Sequence, residues 1–112
     1  MPAPRLKRVY DAPAEADGMR VLVDRLWPRG LSKDNAAVDL WLKDIAPSDA
    51  LRHEFHAHPE CFEAFRKAYA AELHGGEALA ELRKLAHKQR ITLLYASKDE
   101  THNNAVVLRD LL

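Results

Sequence analysis

The stretch Val21-Leu-Val-Asp-Arg-Leu-Trp-Pro-Arg-Gly-Leu-Ser-Lys33 restricts the fold of this chain more than any other segment. Val21, Leu22 and Val23 form a short apolar run rich in β-branched side chains. Such a run reads as a buried strand, expected over Val21–Leu26. Trp27-Pro28-Arg29-Gly30 cannot continue it. Proline supplies no ladder hydrogen bond, and glycine adopts backbone angles that other residues avoid. An apolar strand therefore delivers Asp24, Arg25, Trp27, Arg29 and Lys33 to a loop at its carboxyl end. In open α/β sheets that end is where ligands bind.

At 112 residues the chain is expected to be a single domain. A chain of that length buries roughly 65% of the surface its unfolded form exposes, enough for one core. Seventeen basic residues balance seventeen acidic ones, and the pI is near 7.0. That balance argues against a dedicated nucleic-acid coat protein. Charge is uneven, however. Residues 1–33 hold seven Lys/Arg against four Asp/Glu, a local excess of three. The excess either favours an anion or is solvated surface charge. Cys61 is the only cysteine, so no internal disulfide can form. No signal-peptide pattern or bilayer-spanning apolar run is visible, and a cytoplasmic location without membrane contact is expected.

Leu6–Tyr10 alternates loosely and reads as a first strand, and Asp11-Ala-Pro13 breaks it. Ala14–Asp17 suits one helical turn before Gly18, and Leu31–Ala37 a loop or short helix. Val38–Ile45 fits two periods. Val38, Leu40 and Leu42 alternate as in a strand, placing Trp41 and Lys43 on one face, while Val38, Trp41, Leu42 and Ile45 would make a helical face. The strand is the preferred reading. Ser48 is a good N-cap for a helix starting at Asp49, with Leu51 and Phe55 on one side. His58-Pro59 interrupts, and Pro59 is suited to open the next helix. Along that helix Phe62, Phe65, Tyr69 and Leu73 recur on one face until Gly75-Gly76. Glu77–Gln89 is a third helix, with Leu79, Leu82, Leu85 and Ala86 inward. Ile91–Ala96 is apolar nearly throughout, as a strand covered on both faces would be. After the polar turn Ser97–Asn103, Asn104–Leu112 closes the chain as a helix. The pattern predicts an α/β fold, a small, mostly parallel sheet of about four strands with helices packed on its faces. If strands 21–26 and 91–96 run parallel, their carboxyl-end loops open on the same side.

Val9-Tyr-Asp11, Val21–Lys33, Trp41-Leu-Lys43, Ala46-Pro-Ser48, Glu72-Leu73 and Thr92–Leu94 with His102-Asn103 together resemble the YeaO-like group within domain of unknown function 488. The match runs in order over nearly the whole chain, and Arg20–Gly30 is its most specific part. The resemblance implies a compact α/β sandwich and a set of signature positions, and brings no established reaction with it. The broader family shares a Val-Asp pair followed by arginine, and often has two cysteines near the last strand, the second followed by His-Arg. Here Tyr95 ends that strand and Thr101-His-Asn-Asn104 follows. Cys61 lies on a different element, so thiol chemistry does not carry over.

Arginine offers a planar fork of donors that fits phosphate or carboxylate. Arg25, Arg29 and Lys33 on one glycine-containing loop are therefore candidate anion ligands; alternatively they pair internally with Asp24, Asp39 or Asp99. Asp24 could act as a base or orient the arginines, which would hold it ionised; the orienting role is favoured. His102 could move a proton near neutrality, with Asn103 beside it at a helix mouth. Both residues are also ordinary helix starters. Trp27 could stack on a ligand or serve as pocket wall. Lys43 and Lys98 could complete a positive wall or simply be solvated. His53, His56 and His58 with Cys61 lack the spacing of a tetrahedral metal set, and no cofactor is expected. P-loop, dinucleotide-binding and nucleophile-elbow motifs are absent. The leading expectation is a strand-end pocket for an anionic small molecule, with or without catalysis by Asp24 and His102. The alternative is a non-catalytic module that contacts nucleic acid or a protein through the basic amino-terminal third.

Overall fold

The computed structural model describes residues 4–112. Its strands are β1 (Arg5–Arg8), β2 (Met19–Leu22), β3 (Leu40–Trp41) and β4 (Ile91–Tyr95). Its helices are α1 (Lys33–Ala36), α2 (Asp49–Ala57), α3 (Phe62–Leu73), α4 (Glu77–Lys88) and α5 (Asn104–Leu111), and 3₁₀ turns lie at Glu15–Asp17 and Lys43–Ile45. The strands form one sheet in the order β1-β4-β2-β3. Every neighbouring pair is parallel, with Leu6 opposite Leu93, Leu22 opposite Leu94 and Val21 opposite Leu40.

The apolar run at β4 has the cause read from its composition. All five of its residues are buried. Ile91, Leu93 and Tyr95 face the larger core, which Val21, Val23 and side chains of α3, α4 and α5 complete. Leu94 faces the other way, with Leu22, Val9 and Ala36 of α1, and Trp27 and Trp41 pack against that cluster. Each fully buried leucine here contributes roughly 1.5–3 kcal/mol. The sheet is thus covered on both faces, thickly by α3–α5 and thinly by α1 and the Trp27 loop.

The amino ends of the strands are tied by charge. Asp17 is buried and accepts from Arg20 at 2.6 Å and Lys7 at 3.2 Å. Arg20 also donates to the carbonyls of Ala36 and Ala37. Gly18 has φ +65°, and a Cβ there would meet the Arg90 carbonyl oxygen at 2.3 Å. Only glycine lets β2 enter beside β4 at this point.

Several element boundaries differ from expectation, beginning with β1, which covers Arg5–Arg8 rather than Leu6–Tyr10. β2 starts at Met19 and ends at Leu22 rather than running from Val21 to Leu26. Beyond Val23, whose N–H still reaches Leu94 O, side chains take over from the ladder, as described below. β3 holds only Leu40 and Trp41 before the chain turns into the 3₁₀ segment. That turn buries Ile45, whose carbonyl accepts from the Tyr69 hydroxyl at 2.5 Å. Finally, α3 opens at Phe62 and not at Pro59, because the Cys61 N–H bonds back to His58 O in a separate turn.

Candidate functional site

β2 and β4 lie side by side, but the chain leaves them in different directions. After β2 it passes through α1 to β3; after β4 it enters α5, which lies against β4 and β1. Two neighbouring parallel strands with diverging exits leave a crevice at their carboxyl ends, the switch-point geometry of open α/β sheets. A cleft of about 520 Å³ occupies that place. Its size suits a metabolite-sized ligand.

Asp24 lines this cleft and closes the gap between the parting strands. Its Oδ2 accepts from the Ala96 N–H at 2.8 Å and its Oδ1 from the Asn104 side-chain amide at 3.1 Å. Asn104 also donates to Val23 O at 3.0 Å, and Trp41 Nε1 donates to Asp24 O at 2.7 Å. These side chains replace the ladder where β2 and β4 separate. Burial pushes the Asp24 carboxyl above the usual carboxylate range, against the pull of the bonds from Ala96 and Asn104. Among the described residues no arginine pairs with it. The expectations that Asp24 orients the arginines and is held ionised by them are therefore corrected. The loop carries Arg25 away toward α2, and Asp24 turns to β4 and α5.

Arg25 Nη2 lies 3.4 Å from Ala46 O and 3.5 Å from Pro47 O, and its Nε is 3.9 Å from Asp49 Oδ1. Arg52 of α2 approaches the same oxygen, its Nη2 at 3.3 Å. The Nε atoms of both arginines are buried without a hydrogen-bond partner. A buried donor left unpaired costs about 1–3 kcal/mol, more when charged. Arg29 lines the cleft from its exposed loop. Its carbonyl accepts from the Tyr10 hydroxyl at 2.9 Å, which ties that loop to the end of β1.

Trp27 also lines the cleft, but its Nε1 donates to Leu31 O at 2.7 Å and its ring meets Trp41 edge-on at 5.3 Å. It is wall, held by packing. His102 lines the cleft from the β4–α5 loop. Its Nδ1 is 2.9 Å from Thr101 Oγ1 and 3.3 Å from the Asp99 carboxylate, and its ring meets Phe62 edge-on at 4.9 Å. Hydrogen bonds from Thr101 and His102 hold Asp99 below the usual carboxylate range. Asn103 is buried: its Oδ1 accepts from Val106 N at 3.0 Å, capping α5, and its Nδ2 donates to Asp99 O at 2.8 Å. Asn103 therefore shapes the wall with most of its polar capacity already engaged.

Lys33, Lys43 and Lys98 are not part of the cleft lining. Lys33 begins α1 and is exposed, as is Lys98. Lys43 sits over the Trp41 ring at 4.1 Å, beside a second cleft of about 420 Å³ that Glu77 and Glu81 also line. The three-cation loop expected from spacing thus divides: Arg25 and Arg29 reach the cleft and the lysines do not. In their place α2 supplies Arg52, Phe55 and His56. Their i, i+3, i+4 spacing puts them on one helix face, a signal that was present in the sequence. Nothing local indicated which cavity that face would meet. Among the described residues no three His, Cys, Asp or Glu side chains converge as metal ligands, and no helix is long and apolar enough to cross a membrane.

A family model described as "Inactive DUF488-N3 subclade" matches residues 4–112. The uncharacterized protein YeaO of Escherichia coli (strain K12) is 48% identical over 110 residues, which cover 95% of this chain and 93% of that protein. The uncharacterized protein Rv3073c of Mycobacterium tuberculosis (strain ATCC 25618 / H37Rv) is 46% identical over 108 residues, 96% of this chain and 92% of that protein. No solved structure matches.

Proposed function

This chain belongs to the DUF488-N3i family, the inactive DUF488-N3 subclade, and we propose that it is a binding protein whose strand-end cleft holds an anionic small molecule without converting it. The observation that carries the reading is that Arg25, Arg29 and Arg52 all line one cleft that also offers an apolar wall. Guanidinium groups around a half-enclosed apolar hollow select phosphate- or carboxylate-bearing molecules, a nucleotide or a phosphorylated metabolite among them. Asp24 and His102 enter as lining groups rather than reacting ones. Both oxygens of Asp24 accept N–H bonds, and Asp99 and Thr101 engage the His102 ring. The exposed thiol of Cys61 suits a reducing compartment, so the reading is of a cytoplasmic protein.

A thermal-shift screen of the whole chain against nucleotides and phosphorylated or carboxylated metabolites tests this. A ligand at about 100 times its Kd adds about 2.7 kcal/mol to the stability of the folded state, a clear rise in Tm. A screen in which no anion raises Tm at millimolar concentration ends the proposal. If the contact is instead a nucleic acid on the basic amino-terminal third, affinity falls steeply with added salt, whereas a small anion in the cleft is much less sensitive.

A further inference from the structure

We infer that the acidic group of the ligand is held between Arg25 and Arg52, where the Asp49 carboxylate now lies against both, and that this group is an oxyanion carried on a flat apolar body. The inference rests on the reading of the cleft as an anion site and goes beyond it by assigning the clamp and the ligand class.

The two guanidinium groups come from separate elements, the loop after β2 and the second turn of α2, yet they meet at one oxygen, Asp49 Oδ1. The contacts are loose, 3.9 Å from Arg25 and 3.3 Å from Arg52, and the Asp49 side chain is 68% exposed. Exposed pairs of this kind are weak and easily exchanged for another anion. The bonds from Arg25 to the carbonyls of Ala46 and Pro47 are also long, at 3.4 and 3.5 Å. Each arginine keeps a buried Nε with no acceptor. Two partly exposed guanidinium forks on the wall of one cleft, sharing one solvent-exposed carboxylate oxygen, suit a group with several oxygens in a small volume. A phosphate monoester or a carboxylate meets that need, since it can accept from both forks at once.

The neighbouring surface describes the rest of the molecule. Phe55, three residues after Arg52, stacks on Phe65 with ring centroids 4.4 Å apart, and both line the cleft. Pro47 and Leu26 line it too, and Leu26 is 62% exposed. Aromatic and aliphatic lining beside a pair of arginines fits an aryl or heteroaryl group that carries the anion. Asp49 is then a built-in competitor: it holds the two forks in place until the ligand's oxyanion displaces it.

Calorimetric titration of phenyl phosphate and of inorganic phosphate into the full chain and its variants tests this. Phenyl phosphate is expected to bind the parent and to bind Arg52→Gln about tenfold more weakly or worse, the loss of one charge-assisted contact. Asp49→Asn removes the competitor and is expected to bind several-fold more tightly, a gain that a misfolded variant cannot produce. Parent-like affinity in Arg52→Gln, or weaker binding in Asp49→Asn, overturns the clamp and leaves the cleft reading standing. Inorganic phosphate binding as tightly as phenyl phosphate overturns the apolar body. No binding of either probe to the parent at millimolar concentration overturns the clamp, while the cleft reading stands or falls on the wider thermal-shift screen.

Discussion

Replacing Asn104 by alanine removes the tie between α5 and the end of β2. The Asn104 amide donates to Val23 O at 3.0 Å and to Asp24 Oδ1 at 3.1 Å. The first is a neutral bond worth about 1 kcal/mol, and the second, to a carboxylate, about 1.5–3 kcal/mol. Alanine is the better helix former at the first position of α5, which returns about 0.5 kcal/mol. The net loss is about 2–3.5 kcal/mol. At roughly 4 °C per kcal/mol for a chain of this length, Tm should fall by about 8–14 °C. Urea unfolding of parent and variant at neutral pH, with the slope unchanged, measures the same loss. The pH dependence gives a second readout. Asp24 is raised above its ordinary value in the folded chain, so its ionisation lowers stability as pH rises from about 4 through the folded-state value. Without Asn104 the carboxylate loses a donor, and that decline should become steeper. A loss below about 0.5 kcal/mol, in the range of a neutral surface substitution, would refute the argument that these bonds hold the parting strands together.

The opposite sign is expected at Asp17. Burial, which would raise its carboxyl, is outweighed by bonds from the Ala14 N–H, Arg20 and Lys7, so it lies below the usual range. Its contribution is present above about pH 4 and is lost as pH falls through the folded-state value, so Asp17→Asn should flatten the acid limb and cost about 3–5 kcal/mol at neutral pH, measured by urea unfolding. Gly18→Ala should be far more damaging than Gly30→Ala. Both have positive φ, but only Gly18 would drive a Cβ into a carbonyl, at 2.3 Å from Arg90 O, whereas Gly30 has open space. Denaturation midpoints should show about 1–2 kcal/mol for Gly30→Ala and clearly more for Gly18→Ala. Tyr69→Phe leaves the buried Ile45 carbonyl without its donor and should cost about 1–3 kcal/mol, with no change in affinity for an anion in the cleft.

Much of the fold was legible because its causes are local. The nearly continuous apolar run at Ile91–Tyr95 required a strand covered on both faces, and all five of its residues are buried, with β1 on one side and β2 on the other. Ser48 accepts from Leu51 N at the start of α2, as a serine in that position should. Val38–Ile45 was less legible, because its apolar residues satisfy two periods and only the burial of Ile45 under α3 selects the short strand and 3₁₀ turn.

The sequence by itself determined that an acidic and several basic side chains leave a buried strand at its carboxyl end, since apolar run, proline and glycine act within a few residues of one another. Only the tertiary structure decided whom those side chains meet. Asp24 bonds to Ala96 and Asn104, 72 and 80 residues away, because β4 is the strand inserted beside β2. Arg25 shares Asp49 with Arg52, while Lys33 stays outside the cleft, because α2 supplies part of the cleft wall and α1 does not. A charge's partner depends on strand order and helix placement, and neither leaves a mark in the spacing of the charged residues themselves.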